Sequence, residues 1–398
     1  MVPKGWIASQ IGDIAKFSSG GTPSKQSAHF WGGTEPWISG KDLKTHYLVT
    51  SIDTLTEDGF KVAKKTPKGS SLILVRGMTL LKDFPVGYAT REVAFNQDLK
   101  ALIPNKDIDG LFLSFMLAAE KNKILQLVST AGHGTGRLDT ESIKAYPVNL
   151  PPLSEQNKIA EILSTWDKTI TTTEQLLANS QQQKKSLMQQ LLTGKKRLLD
   201  INGMRFSEEW KPYNLSDIAI IIMGSSPKSE AYNEDGVGLP LLQGNADVKN
   251  RKSAPRIFTS VITKECAIGD ILLSVRAPVG TVAISEHKAC IGRGIAAIKA
   301  KRKFDQDFIY QWLLWFEKRW CSLSQGSTFE SINSDDIKQL IIRAPDFGEQ
   351  VKIAAVLSTA DQEITALQQK LAALKQEKNA LMQQLLTGKR RVKVEEAA

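Results

Sequence analysis

The chain has 398 residues, 41% of them hydrophobic, and a net charge of +10. That length exceeds one typical domain and suits two or three, and no run of eighteen apolar residues is present to span a bilayer. Three cysteines (Cys266, Cys290, Cys321) without a CxxC pair and four scattered histidines (His29, His46, His133, His287) predict neither a disulfide framework nor a metal site, while the basic excess suits a polyanion whose phosphates Lys and Arg would neutralise.

The opening MVPKGWIASQ has no apolar signal core, so a cytoplasmic protein is expected. Strand-like runs follow at residues 71–75 and 93–103, then a strong apolar helix pattern at 109–128, joined by loops rich in Gly, Ser, Lys and Arg. Pro151, Pro152 and Ser154 precede a long segment in which Ile159, Leu163, Trp166, Ile170, Thr173, Leu177, Ser180, Lys184, Leu187 and Leu191 alternate spacings of four and three. That alternation is the seam of a coiled coil. The segment ends in SLMQQLLTGKKRL (186–198), where Gly194 suits a left-handed C-terminal cap and Lys195, Lys196 and Arg197 suit the negative end of a helix dipole.

The same order then returns. Strand-like runs fall at 270–275 and 295–299 and a helix pattern at 305–322. Asp346 and Glu349 form a D-x-x-E capping box. A second seam runs through Ile353, Leu357, Ala360, Ile364, Leu367, Leu371, Leu374, Lys378, Leu381 and Leu385, weakened only at Ala360 and Lys378, and closes in ALMQQLLTGKRRV (380–392). An offset of 194 superposes the two long segments, and EQNKIAEILSTWDKTI meets EQVKIAAVLSTADQEI. Within the globular parts an offset of 204 pairs Trp6 with Trp210, Gly20 with Gly224, Pro36 with Pro240 and Gly40 with Gly244. Further on, GMTLL (77–81) is read against GDILL (269–273), and Pro85-Val86-Gly87 against Pro278-Val279-Gly280. Apolar anchors recur while polar residues change: Ser39 and Lys41 become Gln243 and Asn245. One scaffold with two sets of polar tips suits two recognition domains with different targets, or drift after duplication.

The expected fold is α+β, with two mixed α/β globular domains separated by a long two-helix coiled coil in a pseudo-two-fold internal repeat. The divisions are 1–150, a first recognition domain; 151–196, a spacer helix; 197–345, a second recognition domain; and 346–398, a second helix with a basic tail. Each helix of about 40 residues is roughly 60 Å long, and a globular unit of about 150 residues is roughly 35–40 Å across. Parallel pairing would make that unit bridge the whole helix, so antiparallel pairing is predicted. Two basic units held by a rod form a ruler for DNA, whose equivalent groove faces recur about every 34–36 Å. Candidate base readers are Lys41, Arg76, Gln243, Asn245, Arg276 and Arg293, since Arg and Lys reach guanine and Asn and Gln grip adenine. Lys25, Lys82, Arg137, Lys249, Arg251, Ser327 and Thr328 suit phosphates. The doublets Leu191-Leu192 and Leu385-Leu386 are wider than a two-helix seam needs, and are read as partner docking or as packing on the attached unit.

The elements PPLSEQNKIA…LMQQLLTGKKR and PDFGEQVKIA…LMQQLLTGKRR, with GDILLSVRAPVGTVAI, GSTFESI and WISGKDL, resemble the specificity subunit of type I restriction–modification enzymes over essentially the whole chain. The first half departs mildly, carrying GHGTGRLDTESI in place of GSTFESI. The resemblance implies two target recognition domains for double-stranded DNA, and helices that space them and bind two modification subunits. Those partners would carry S-adenosylmethionine and flip and methylate an adenine. Two restriction subunits would add motor activity with ATP and Mg; this chain would bind no cofactor or metal, do no chemistry and need no membrane. The residues agree: Leu150-Pro151-Pro152-Leu153 lacks both ends of a methyltransferase [ND]PP[YF] loop, the GxGxG of Gly132, Gly134 and Gly136 is not set between strand and helix, TGKKR and TGKRR lack a Walker loop's other residues, and Glu349 stands at the wrong spacing from Pro345-Asp346 for a nuclease. The competing expectations are a stand-alone methyltransferase of unusual motif and a coiled-coil protein that coats DNA without sequence preference.

Overall fold

The computed structural model describes residues 2–131, 134–322 and 331–393. The chain divides into two compact units: the first combines Met1–Thr173 with Lys370–Ala398, and the second is Glu174–Gln369. Four helices organise them: α1 (Gly110–Ala119), α2 (Leu153–Leu191), α3 (Gln306–Phe316) and α4 (Phe347–Leu385). Each unit therefore holds the start of its own long helix and the end of the other.

In the first unit a five-stranded sheet runs in the order Ala15–Ser19, Leu99–Pro104, Ser71–Leu74, Val86–Ala89, Tyr47–Leu48. The central strand is buried on both faces because α1 covers one side, which is why SLIL reads as a continuous apolar run. A four-stranded sheet (Thr54–Leu55, Trp31–Ile38, Val93–Phe95, Lys65–Thr66) lies beside it. The second unit repeats the plan. Its six-stranded sheet begins Ala219–Met223, Ile295–Ala300, Ile271–Ser274, Val282–Ile284, and its five-stranded sheet pairs Leu239–Leu242 with Ala289–Ile291. In both units a terminal ladder, Ile7–Gln10 with Pro147–Leu150 and Lys211–Asn214 with Ile341–Ala344, brings the two ends of the globular part together at the start of the long helix.

Several sequence expectations need adjustment. The run 93–103 is two strands: Val93–Phe95 belongs to one sheet and Leu99–Pro104 to the other, with a turn between. The pattern at 109–128 breaks at Glu120 into α1 and the short helix Lys121–Leu125. The repeat is also misaligned beyond the first sixty residues. Ladder partners equate Ser71–Leu74 with Ile271–Ser274, so Gly69 (φ +92°) matches Gly269 (φ +87°) and GMTLL is not the counterpart of GDILL. Likewise Val86 and Val282 occupy the same register, not Val86 and Val279.

In the first unit Glu155 meets Arg391 and Asp167 meets Lys378, so α2 and α4 run antiparallel there. The second unit repeats this through Ser180–Glu363, Lys184–Asp361 and Arg197–Glu349. Every seam position is buried or half-buried: Ile159, Leu163, Ile170, Ile353 and Leu357 are buried, and Trp166, Leu177, Leu187, Ile364, Leu367, Leu371, Leu374 and Leu381 half-buried. Lys378 stays in the seam because Asp167 neutralises it at 2.5 Å and the Phe115 ring lies 5.2 Å from its ammonium.

The repeated phrase now has a structural content. Leu191, Leu192, Leu385 and Leu386 are 0, 2, 2 and 8% exposed, in the cores of the globular units. They pack in those cores. Gly194 (φ +71°) and Gly388 (φ +69°) adopt the left-handed cap, where an added Cβ would stand 3.3 Å from the rings of Trp210 and Trp6. Beyond the caps, Arg197 grips Glu349 through both carboxylate oxygens, and Arg391 grips Glu155. The indoles of Trp210 and Trp6 donate to those same carboxylates at 3.3 Å. Glu349 is thus only half of a capping box: its amide donates to Asp346 at 3.1 Å, but its side chain is spent on Arg197. The adjoining glutamines tie in the domain helices, with the amides of Asp109 and Asp305 donating to Gln156 and Gln350 at 3.0 Å.

Removing one partner from such a clasp leaves a buried charge unpaired. Arg197→Ala is expected to cost roughly 3 kcal/mol, read by denaturant unfolding of the full chain; Glu349→Gln, which removes the charge and keeps the shape, should cost clearly less. A second expectation concerns His46, which stacks on Phe115 at 4.8 Å with Nε2 2.7 Å from Ser114 Oγ. Burial pushes its imidazole down to about 4, the nearby Asp167 carboxylate opposing and Lys378 assisting. The unfolded chain takes up the proton near pH 6.5 and the folded chain only near 4, so stability is full above 6.5 and falls by roughly 3 kcal/mol as pH drops through that window. His46→Gln should flatten that part of a stability–pH curve.

Candidate nucleic-acid interface

Parallel strand pairs leave two loops at the same end of a sheet, and here those loops carry the predicted polar residues. In the first unit Trp31–Ile38 runs parallel to Val93–Phe95, with Ile38 beside Phe95. The loop after Ile38 is closed by Asp42, whose Oδ2 accepts from the amide and hydroxyl of Ser39 at 2.8 Å, and Lys41 is left exposed. The amide of Asn96 donates to Ile38 O (2.9 Å), that of Val75 to Asp98 O (2.8 Å) and that of Leu138 to Val75 O (3.0 Å). Three separate stretches are thereby knitted together around Arg76, two residues beyond the end of the central strand. Its ladder partner is Arg137. A cleft of about 340 Å³ opens among Arg76, Gln97, Lys100, Arg137 and Asp139.

The second unit builds the same frame. Leu239–Leu242 runs parallel to Ala289–Ile291, and Asp247 Oδ2 accepts from the amides of Gln243 (2.7 Å) and Gly244 (3.3 Å). Gly292 donates to Leu242 O, Val275 to Gly294 O and Ile332 to Val275 O, at 2.8, 2.9 and 2.8 Å. A Cβ at Gly294 would fall 2.2 Å from Gln243 O, so this crossing of loops demands glycine. Arg276 follows the central strand and bridges Ser331, and the Arg293 amide donates to Ser226 Oγ at 3.0 Å. Matching these bonds pairs Ser39 with Gln243, Arg76 with Arg276, Gln97 with Arg293 and Arg137 with Ser331.

The six candidate base readers therefore lie at the same end of the equivalent frames: Lys41 and Arg76 in one unit, Gln243, Asn245, Arg276 and Arg293 in the other. Gln97 and Lys100, which line the same cleft, were not among the sequence candidates, although Gln97 stands just after a strand as Arg293 does. Of the phosphate candidates, Arg137 joins the cleft, and Lys25, Lys82 and Lys249 are exposed. Arg251 is already engaged within the chain. Its guanidinium donates to Val282 O and makes a two-pronged pair with Glu317 (2.5 and 2.7 Å), and that pair holds it above its usual pKa. Lys252 and Arg256 are similarly paired with Glu286 and Asp247, so the basic run 249–256 is largely neutralised. Ser327 and Thr328 lie outside the described residues, as does Gly132. Gly134 (φ +70°) and Gly136 shape a β-hairpin, where a Cβ at Gly136 would meet Leu80 at 2.8 Å. Among the described residues no cluster of His, Cys, Asp or Glu could hold a metal ion, and no helix is long and apolar enough to cross a membrane.

These features define a protein with two equivalent modules whose clustered loops differ in their polar residues. The chain belongs to the family of the type I restriction modification DNA specificity domain, whose model matches residues 3–179 and 207–376. It is 30% identical over 98% of its length to 95% of a Methanocaldococcus jannaschii protein assigned as the MjaX specificity subunit of a type I restriction enzyme. It is 32% identical to the EcoR124I/EcoR124II specificity subunit of Escherichia coli over 41% of each chain. Among solved structures, the HsdS subunit of Thermoanaerobacter tengcongensis covers 98% of both chains at 25% identity with a TM-score of 0.50. The type I S subunit of M. genitalium shares the fold over 97% of this chain and 99% of its own, at 16% identity and a TM-score of 0.66. The function is that of a type I specificity subunit, and the family is non-catalytic.

Because Arg251 is committed to Glu317, Arg251→Ala should lower stability and leave DNA affinity and its salt slope unchanged, whereas Lys249→Ala should do neither harm to folding nor gain stability. Thermal melting alongside DNA titration at two salt concentrations checks both.

Proposed function

We propose that each globular unit reads one half of an asymmetric, two-part double-stranded DNA site, and that the paired helices set the unread spacer and dock two modification subunits. Those subunits would bind S-adenosylmethionine and methylate adenine at N6, and two restriction subunits would add ATP- and Mg-dependent motor activity. This chain supplies sequence reading alone, and its setting is the cytoplasm.

The carrying observation is the conserved loop frame with changed tips. The same backbone hydrogen bonds recur in both units, yet Ser39 gives way to Gln243, Gln97 to Arg293 and Arg137 to Ser331. Base edges are discriminated by donor and acceptor pattern, so two sets of tips on one frame suit two unlike half-sites. Exchanging residues 1–150 for the corresponding part of a relative, in the presence of the modification partners, should change one half of the methylated motif and leave the other intact. Sequencing of methylated bases reads this; a change in both halves would refute separate reading.

A further inference from the structure

Arg76 and Arg137 face each other across an antiparallel ladder, and Gly77 and Gly136 form the adjoining pair. Residues directly opposite in such a ladder project from the same face, and like charges there repel. Both side chains are exposed and line the same cleft, and among the described residues neither guanidinium has a carboxylate in ion-pair contact. The acid that lines the cleft, Asp139, is engaged in capping a helix: it accepts from the amide and hydroxyl of Ser142 at 2.9 and 3.2 Å, and is held low chiefly by that amide, with Arg137 a smaller influence.

The other lining groups are already oriented. Lys100 Nζ donates to Ser19 Oγ at 2.6 Å. Gln97 accepts from Thr22 at 2.6 Å through its amide oxygen, which leaves its NH₂ to donate elsewhere. The cleft therefore presents donors from Gln97 and Lys100 beside two unneutralised forks. The close fit of Gly136 on Leu80 holds the strand that bears Arg137. The second unit has Arg276 in the place of Arg76 but Ser331 opposite it and Ala296 in the place of Lys100.

From this we infer that the Arg76–Arg137 pair is the guanine-reading centre of the first unit, with Arg137 the residue that separates its specificity from that of the second unit. A guanine edge offers O6 and N7 as adjacent acceptors in the major groove, the match for a guanidinium fork. Bound DNA would also supply the negative potential that relieves the facing charges. The inference rests on the two-half-site reading above.

The test uses the full chain with its modification partners and duplex libraries randomised in both half-sites. Arg137→Ser should relax selectivity at one guanine position of one half-site, by about 5- to 150-fold, and leave the other half-site unchanged. Arg137→Lys keeps the charge and a donor for guanine but loses the rigid fork, so it should lose part of that selectivity while retaining the salt slope. A uniform loss of affinity on all duplexes in Arg137→Ser, with Arg137→Lys like wild type, would mean a phosphate contact only and overturn the inference. Unchanged half-sites in both variants, with wild-type selectivity intact, overturn it as well. A wild-type complex that shows no two-part preference would overturn the underlying reading and this one with it. Both positions are exposed, and unchanged melting temperatures separate these outcomes from misfolding.

Discussion

Two buried carboxylates hold this molecule in its fold. Glu155 and Glu349 sit at the beginnings of the long helices, 4% and 0% exposed at the side chain, and a lone charge so placed would be strongly unfavourable. Each is satisfied by an arginine from just beyond the end of the opposite helix and by an indole from the start of the globular part. Three stretches far apart in the chain, Trp6, Glu155 and Arg391, are thereby made to meet. The left-handed glycine before each arginine is what turns the chain back toward the carboxylate, and the indole that donates to that carboxylate also packs on the glycine.

The clasp explains why the units are composite. A helix end supplied from the other half of the sequence contributes core leucines, a cap and a counter-charge, so neither globular part is complete with only its own contiguous residues. Recognition is thereby separated from construction. The apolar anchors and the Glu, Gln, Trp and Arg of the clasp are held constant, while the loops at the ends of the parallel strands are tied by backbone amides, one aspartate each and a few hydroxyls such as Thr22 and Ser226. Side chains there can change without cost to the frame, as Gln97 and Arg293 illustrate.

Much of this was legible in the residues. Heptad spacing exposed the seam, and a duplicated phrase revealed the repeat. A chain-length argument favoured antiparallel helices. The candidate base readers came from their neighbours, glycine-rich loops after apolar runs. What escaped was long-range or depended on register. The Leu191-Leu192 and Leu385-Leu386 doublets looked like surface because periodicity measures distance from a seam and cannot show the globular part that covers the outer face. Arg251 looked free because Glu317, 66 residues later, is brought to it only by the packed sheet and helix. The internal alignment slipped because short apolar runs beginning with glycine are interchangeable as strings, whereas ladder register is not.

The sequence by itself determined the periodic and local features: two copies, two long helices with their stops, an excess of cations, and no catalytic signature. These are set by contacts between residues a few positions apart, so spacing reveals them. Only the tertiary structure decided which charges are neutralised, which leucines are core and which polar tips share a loop cluster. Those outcomes depend on burial and on hydrogen bonds between strands distant in the chain, and one-dimensional order carries no record of either.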